Sequence, residues 1–181
     1  MRPVLETIEA GEGRLVEIRP AEPRDAQGWI DLMKKVALEG PLIAVEEVQI
    51  RKGALARYFR GGTWTPRQAY LVAAHDKLVV GQLSLKRDLG IYSHLAELGM
   101  SVADAFRGQG IGRALIRAAI RWAETFGVEK LTLMVFPHNE RAISVYHSMG
   151  FEEEGHRKRH AKLSYGYEDL IEMSYFVKLR D

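Results

Sequence analysis

The chain has 181 residues, of which 46% are hydrophobic and 28% charged, and these proportions suit one globular domain with a sizeable core. Its formal net charge is only +2, so no global electrostatic attraction favours nucleic acid or a membrane surface as a partner. The lack of cysteine excludes disulfides, thiolate nucleophiles and cysteine zinc sites, and no apolar run predicts a signal peptide or a membrane span. We therefore expect a cytoplasmic enzyme or binding protein.

The first forty residues predict an arm, a strand and a helix. Residues 1–13 are polar and contain two glycines, so we interpret them as a loose arm before a single domain over 14–181. The run 15–19 alternates apolar and charged residues, as a half-buried strand does. Asp25 is a suitable N-cap for a helix that extends to about Glu39.

The remaining elements predict a mixed sheet. A connection over 41–45 leads to a second helix over about 46–59. Six strands are predicted from apolar or alternating runs, over 69–74, 78–85, 95–102, 131–136, 151–162 and 168–177. Two more helices are predicted, over 111–127 and 140–149. The helix that follows strand 95–102 should make it a parallel neighbour of strand 131–136, and hairpins make the other pairs antiparallel. We therefore predict an α/β (mixed α+β) fold, in which helices flank a mixed, mostly antiparallel central sheet.

A glycine-rich stretch joins strand 95–102 to the next helix. Gly108, Gly110 and Gly112 alternate with larger residues, which leaves consecutive backbone N–H groups unshielded where that helix begins. The partial positive charge of a helix N-terminus makes such a loop suitable for a phosphate or pyrophosphate. Arg113 stands where a dinucleotide-binding fingerprint would need its third glycine, which argues against that kind of loop. No Gly-Lys-Ser/Thr triplet follows, which argues against a phosphate loop of the nucleotide-triphosphatase type. A glycine-rich turn without a ligand stays open on this stretch alone.

Two motifs lie on either side of the strand predicted over 131–136. The first reads Arg, two residues, Gly, one residue and Gly, over 107–112. The second reads Asn, Ala three residues later, Tyr four further on, and Gly-Phe at the start of the next strand, over 139–151. Together they resemble the GNAT superfamily of acetyl-CoA-dependent N-acetyltransferases. The resemblance spans roughly 14–178 and implies the GNAT-like acyl-CoA N-acyltransferase fold.

The resemblance implies that acetyl-CoA binds as a cosubstrate and that no metal is needed. In the family, the strand before the glycines bends at a bulge and splays from its parallel neighbour, so that unpaired backbone groups bond the pantetheine arm. The pyrophosphate would contact amides at the helix start, and the Asn of the second motif would contact the cofactor, act as an N-cap, or do both. The implied cofactor-binding residues are Met100, Ser101, Val102, Arg107, Gly108, Gln109, Gly110, Ile111, Gly112, Arg113, Asn139 and Tyr146.

Two residues are candidates for proton transfer. In the family, the tyrosine at the place of Tyr146 is commonly assigned to protonate the thiolate of CoA as it leaves. The alternative is a core role, because Tyr146 shares its helix face with Ala142 and Ile143. Glu97 is the best candidate for the base that deprotonates the amine, directly or through a water, and burial among its apolar neighbours would suit that role. An ordinary strand glutamate that faces solvent is the alternative.

The implied reaction is acetyl transfer from acetyl-CoA to a primary amine. The segments 150–152 and 167–169 resemble members that acetylate small molecules such as amino acids, polyamines or antibiotics. Acetylation of a protein N-terminus or lysine is the alternative enzymatic function, and a non-catalytic acyl-CoA-binding domain is the alternative outside enzymes. We expect no nucleic acid or membrane partner, and a homodimer stays open. The basic run 156–160 either attracts an acidic substrate or belongs to a solvated edge strand.

Overall fold

The computed structural model describes residues 4–40, 42–43 and 49–178. In this part of the chain the strands are β1 (Glu6–Ala10), β2 (Arg14–Pro20), β3 (Trp64–Thr65), β4 (Gln68–His75), β5 (Leu78–Arg87), β6 (Leu95–Val102), β7 (Lys130–Val135), β8 (Glu152–Leu163) and β9 (Gly166–Phe176). The helices are α1 (Ala26–Leu38), α2 (Lys52–Arg60), α3 (Ile111–Phe126) and α4 (Glu140–Ser148).

The strands form one mixed sheet in the order β1-β2-β4-β5-β6-β7-β9-β8, with the short β3 paired to β4. Strands β6 and β7 are parallel, and the other pairings are antiparallel. The predicted fold class is therefore confirmed, and so is the parallel pair at its centre. Because α3 crosses between these two strands, the glycine-rich stretch lies at the end of β6, beside the middle of the sheet.

Two apolar cores lie on opposite faces of the sheet. Helix α3 buries a stripe at helical spacing, which includes Ile111, Leu115 and Trp122, against β4–β7, and α4 adds Tyr146 to the same core. The other core forms around Trp29 of α1 and smaller contributions from α2. The glycine stretch and α4 are thus supported by the larger core, whereas α1 and α2 cover the opposite face.

Several local expectations are wrong for the described residues. The expected loose arm contains β1, which pairs along its whole length with β2. The side chain of Asp25 does not cap α1, because it accepts hydrogen bonds from buried Arg19 at 2.7 and 2.9 Å. Helix α2 begins at Lys52, since residues 49–51 are not helical. Part of the connection predicted over 41–45 and the start predicted for the second helix, 46–48, lie outside the described residues.

Membrane-spanning helices were not expected from the sequence. Among the helices of the described chain, none is both long enough and apolar enough to cross a membrane.

Candidate active site

Strands β6 and β7 separate into a V. Their parallel pairing covers only 95–97 of β6 and 130–132 of β7, although both strands continue beyond it. The register between β5 and β6 runs without a shift from the pair Gly81–Val102 to the pair Arg87–Ala96. The splay expected from the family resemblance is therefore present, but the expected bulge in β6 is not, and the V opens by divergence from β7 alone.

The direction of the β6 backbone groups follows from the ends of the β5–β6 ladder. The Ala103 N–H donates to the Val80 carbonyl at 2.9 Å, and the Asp88 N–H donates to the Leu95 carbonyl at 3.1 Å. Because the register between these ends is unbroken, the odd-numbered residues of β6 direct their N–H and C=O groups towards β5. The even-numbered residues direct theirs towards β7 and, past the paired section, into the V.

Two of the three residues expected to offer backbone groups in the V do so. Met100 offers its N–H and C=O, and Val102 offers its N–H. Ser101 does not, because its backbone belongs to the ladder with β5. Its buried hydroxyl accepts a hydrogen bond from the Gln82 amide at 2.9 Å. The expectation for the Ser101 backbone is corrected accordingly.

The start of α3 presents free backbone donors at the mouth of the V. Gly108 and Gly110 have φ values of 74° and 84°, a left-handed conformation that glycine adopts without steric cost. Gly110 is the N-cap, and no side chain caps this helix. The N–H groups of Ile111, Gly112 and Arg113 therefore have no acceptor within the helix, and they are available to an anion.

Two side chains of the glycine stretch hold the loop itself. The Arg107 guanidinium donates to the Val102 carbonyl at 2.9 Å and pairs with Glu39 at the end of α1 at 2.5 Å. The Gln109 amide donates to the Ala105 carbonyl at 2.9 Å, and its oxygen accepts from the Gly11 N–H at 3.0 Å. Both side chains thus have protein partners that hold the loop.

Two cations flank the loop, and the sequence analysis identified only one of them. Arg113 donates to the Ser148 hydroxyl at 3.3 Å and lines the cavity described below. Arg141, in the first turn of α4, has a guanidinium nitrogen 3.8 Å from the place where a β-carbon on Gly108 would lie. Arg141 was missed because the motif specifies no residue at its position, and the only available signal was its place two residues after a helix N-cap.

A cavity of about 610 Å³ occupies the V. Its floor and one wall come from β6, β7 and the starts of α3 and α4. The opposite wall comes from α1, the residues after it and β9. The chain segments that line it are Val36, Leu42–Ile43, Glu97–Val102, Phe106–Gly108, Gly110–Arg113, Met134–Phe136, His138–Ala142, Val145–Tyr146 and Leu170. The structure thus brings together the predicted site residues apart from Gln109, which does not line the cavity.

Tyr146 belongs to both the core and the cavity. Its side chain is 6% exposed, and its ring packs against Phe151 at a centroid distance of 5.6 Å. Burial raises the pKa of the phenol to about 12, so the hydroxyl stays protonated throughout the physiological range. Within the described chain this hydroxyl has no hydrogen-bond partner. The core interpretation is therefore confirmed, and the ring also lines the cavity, whereas the acid role of Tyr146 stays a prediction.

Glu97 lies on the cavity wall but is not buried. Its side chain is exposed, because it faces away from the core that Ala96 and Leu98 enter. The side chain thus faces solvent, as in the alternative interpretation, while it also lines the cavity. The carboxylate is accessible to an amine that approaches from the side of α1.

Asn139 joins the two walls. Its side-chain oxygen accepts from the Ala142 N–H at 3.2 Å, so the predicted N-cap is confirmed. Its amide donates to the Leu42 carbonyl at 3.5 Å, across the cavity from α4. Together with the pair of Glu39 and Arg107, this bond fastens the segment after α1 to both sequence motifs.

The basic run 156–160 lies on β8, which is the edge strand of the sheet. His156 contacts Asp169 at 2.9 Å, and Arg157 pairs with Glu172 at 2.6 Å, both on the neighbouring β9. The guanidinium of Arg159 lies over the Tyr167 ring at 4.3 Å. The predicted edge strand is confirmed, and part of its positive charge is neutralised within the hairpin.

Metal ligands were not expected from the composition. The described residues contain no group of three or more His, Asp or Glu side chains placed to hold a metal ion.

The chain is similar to acetyltransferases in sequence and in fold. The model of the GNAT acetyltransferase family matches residues 45–151, which is more than half of the chain. An L-amino acid N-acetyltransferase of Escherichia coli is 35% identical over 106 residues, which cover 58% of this chain and 65% of that protein.

Two solved structures have the same fold. A GNAT-family acetyltransferase from Streptococcus pneumoniae superposes with a TM-score of 0.82 at 23% identity, over 90% of this chain and 99% of that one. An acetyltransferase from Salmonella typhimurium, solved with its cofactor acetyl-CoA, gives a TM-score of 0.80 at 20% identity, over 92% and 96% of the two chains.

Proposed function

Because this chain belongs to the GNAT family of acetyltransferases, we propose that it transfers the acetyl group of acetyl-CoA to a primary amine of a small molecule. The observation that carries the proposal is the cavity in the V. It combines free backbone donors at a helix start, a protonated buried phenol and an accessible carboxylate. A purely structural domain has no need of this combination beside an open cavity.

The residues of the V fit acetyl-CoA. The N–H groups at the start of α3 would hold the pyrophosphate, with Arg113 and Arg141 as flanking cations. The backbone of Met100 and the N–H of Val102 would bond the amides of the pantetheine arm, as an added strand does. The wall of the V is apolar near Leu98, which suits the methylene groups of the same arm.

The reaction needs one base and one acid. An alkylammonium has no free electron pair, so Glu97, or a water held by it, takes a proton from the amine. The amine nitrogen then bonds to the thioester carbonyl carbon, the carbon–sulfur bond breaks, and the sulfur leaves with the bonding electrons. The Tyr146 hydroxyl donates its proton to that sulfur, the nitrogen of the new amide releases its second proton to water, and Tyr146 regains a proton from water. The exposure of Glu97 suits this division of roles, because the amine arrives from solvent.

The experiment is release of CoA thiol from acetyl-CoA in the presence of a panel of primary amines. A chromogenic thiol reagent detects the product without a background, because the chain contains no cysteine. We expect amine-dependent release without added metal and a melting temperature that rises with acetyl-CoA concentration. Binding of acetyl-CoA without release on any amine would indicate the non-catalytic domain instead. Release that requires a divalent ion would contradict the proposed chemistry.

A further inference from the structure

A lysine stands beside Glu97 on the neighbouring strand. Lys86 of β5 and Glu97 of β6 are direct partners in the antiparallel ladder. Their side chains therefore emerge on the same face, with β-carbons about 4.5–5.5 Å apart. Both side chains are exposed. Within the described chain, neither has an ion pair or a side-chain hydrogen bond with another residue. Two opposite charges thus stand next to each other, free to bind a ligand that carries both signs.

The nearby cations are already engaged. Arg87 emerges on the other face and donates to the carbonyls of Ser93, Phe126 and Gly127. Arg157, further along the sheet, pairs with Glu172 at 2.6 Å. Lys86 is therefore the cation that an anion bound next to Glu97 would meet on this part of the sheet.

The cavity wall around Glu97 is apolar on this side. It consists of aliphatic and thioether side chains from α1, the residues after it, β7 and β9, namely Val36, Leu42, Ile43, Met134 and Leu170. These side chains offer no hydrogen bond to a polar substrate, and they suit an apolar substituent. The place where an amine would meet Glu97 therefore has a cation on one side and an apolar surface on the other.

We propose that the acceptor is an α-amino acid with an apolar side chain and that Lys86 binds its carboxylate. The inference rests on the proposed acetyl transfer. The amino and carboxylate groups of such a molecule are attached to one carbon, and the adjacent Glu97 and Lys86 match that arrangement of charges. The side chain of the substrate contacts the apolar wall. Lys86 is a specificity-determining residue and takes no part in proton transfer.

This assignment separates the classes of amine that the family resemblance left open. A polyamine has no carboxylate, so it would place a second cation beside Lys86 and be repelled. A protein N-terminus has an amide in place of the carboxylate, and it leaves the ammonium of Lys86 without its partner. The structure thus favours a free amino acid over both.

The test compares three acceptors with the same apolar body: L-leucine, L-leucinamide and 3-methylbutylamine. For the unmodified enzyme, we expect kcat/KM to be about tenfold or more higher with leucine than with the other two, mainly through KM. In Lys86→Met the value for leucine should fall about tenfold or more, whereas that for leucinamide should stay within about twofold. Lys86→Arg should restore part of the loss with leucine, because it restores the charge.

Lys77→Met is the matched control, since Lys77 is an exposed lysine in the turn at the far end of β5. It should leave kcat/KM unchanged for all three acceptors. Equal use of leucine and leucinamide by the unmodified enzyme, or an equal loss for both in Lys86→Met, would overturn the role of Lys86 and leave acetyl transfer standing. Failure of every amine in the panel, with acetyl-CoA still bound, would overturn acetyl transfer and this inference together.

Discussion

The two walls of the cavity are built in different ways. The wall at the starts of α3 and α4 comes from two continuous stretches, 106–113 and 138–146, and the larger core supports it. The opposite wall is assembled from α1, the residues after it and β9, which are distant in sequence. A continuous stretch keeps its spacing in the sequence and can be recognised as a motif. A wall assembled from separate segments leaves no such pattern. The wall at the starts of α3 and α4, which we propose binds acetyl-CoA, was therefore predictable, and the opposite wall, which we propose binds the acceptor, was not.

The largest expected effect is that of Tyr146→Phe. The substitution keeps the ring and its contact with Phe151 but removes the proton at the cavity wall. We expect kcat to fall by about 10²–10⁴, with little change in acetyl-CoA affinity. Because burial raises the pKa of Tyr146 to about 12, the hydroxyl of the unmodified enzyme stays protonated up to about pH 10, and its deprotonation should not lower kcat below that pH. Unchanged kcat, with chemistry rate-limiting, would leave Tyr146 as a core residue only.

The second-largest effect is the loss of acetyl-CoA affinity expected from a substitution at the start of α3. Gly110→Val should weaken acetyl-CoA binding by at least about tenfold, because a branched residue is strained at a φ of 84° and shields the amides. Gly112→Ala is the control. Gly112 does not have a positive φ, and a β-carbon there would meet Met100 at an ordinary 3.5 Å. A β-carbon at this position therefore causes no backbone strain. Calorimetry on folded variants measures both affinities, and equal affinities would place the phosphates elsewhere.

On the wall that we propose binds the acceptor, Glu97→Gln should lower kcat/KM by an amount that depends on pH. If the carboxylate removes the proton, its loss matters most at low pH, where little amine is deprotonated in solution. We expect a loss of kcat/KM of about tenfold or more at pH 7 that becomes smaller as the pH rises towards 9. The pH profile of kcat/KM measures this. A loss of the same size at every pH would instead indicate that Glu97 positions the substrate.

The smallest effect is expected where the two walls are joined. Glu39→Gln removes the charge that pairs with Arg107, and both side chains are partly buried. We expect the melting temperature to fall by about 2–4 °C, which corresponds to roughly 1 kcal/mol in a chain of this length. Glu124→Gln on the exposed face of α3 is the control and should leave it unchanged. Equal melting temperatures for the two variants would mean that the pair contributes nothing to stability.

The strength of periodic patterns decided how much of the fold could be predicted. Strand β6 was predicted with its observed bounds, and the start of α3 followed from the glycines and an apolar stripe. Strand β1 was missed, because its sequence Glu-Thr-Ile-Glu-Ala is largely polar and its pattern is too short to distinguish it from a loop. Its pairing partner β2 follows directly in the chain, but the contact of Glu6 with Arg117 joins it to a distant helix.

The residues of the candidate site could be predicted from the sequence, but the directions in which their backbone and side-chain groups point could not. The residues named for the site line the cavity apart from Gln109, and two motifs carry most of them. The sequence could not indicate which backbone groups of β6 are free, because that depends on the register with β5. Nor could it indicate that Arg107 and Gln109 have protein partners, because Glu39 and Gly11 are distant in sequence and meet them only in the folded chain. No sequence pattern indicated a role for Lys86, because only the pairing of β5 with β6 places it beside Glu97.

The bond between Gly11 and Gln109 joins residues 98 positions apart in sequence. Its donor is a backbone amide at the tip of the first hairpin, and its acceptor belongs to the loop that would hold the pyrophosphate. An amide in such a contact exchanges its hydrogen with solvent only when the contact opens. The hydrogen–deuterium exchange rate of Gly11 therefore reports on the state of that loop, and ligands that order the loop should slow it. A single backbone amide outside the cavity would thus report cofactor binding without any substitution in the protein.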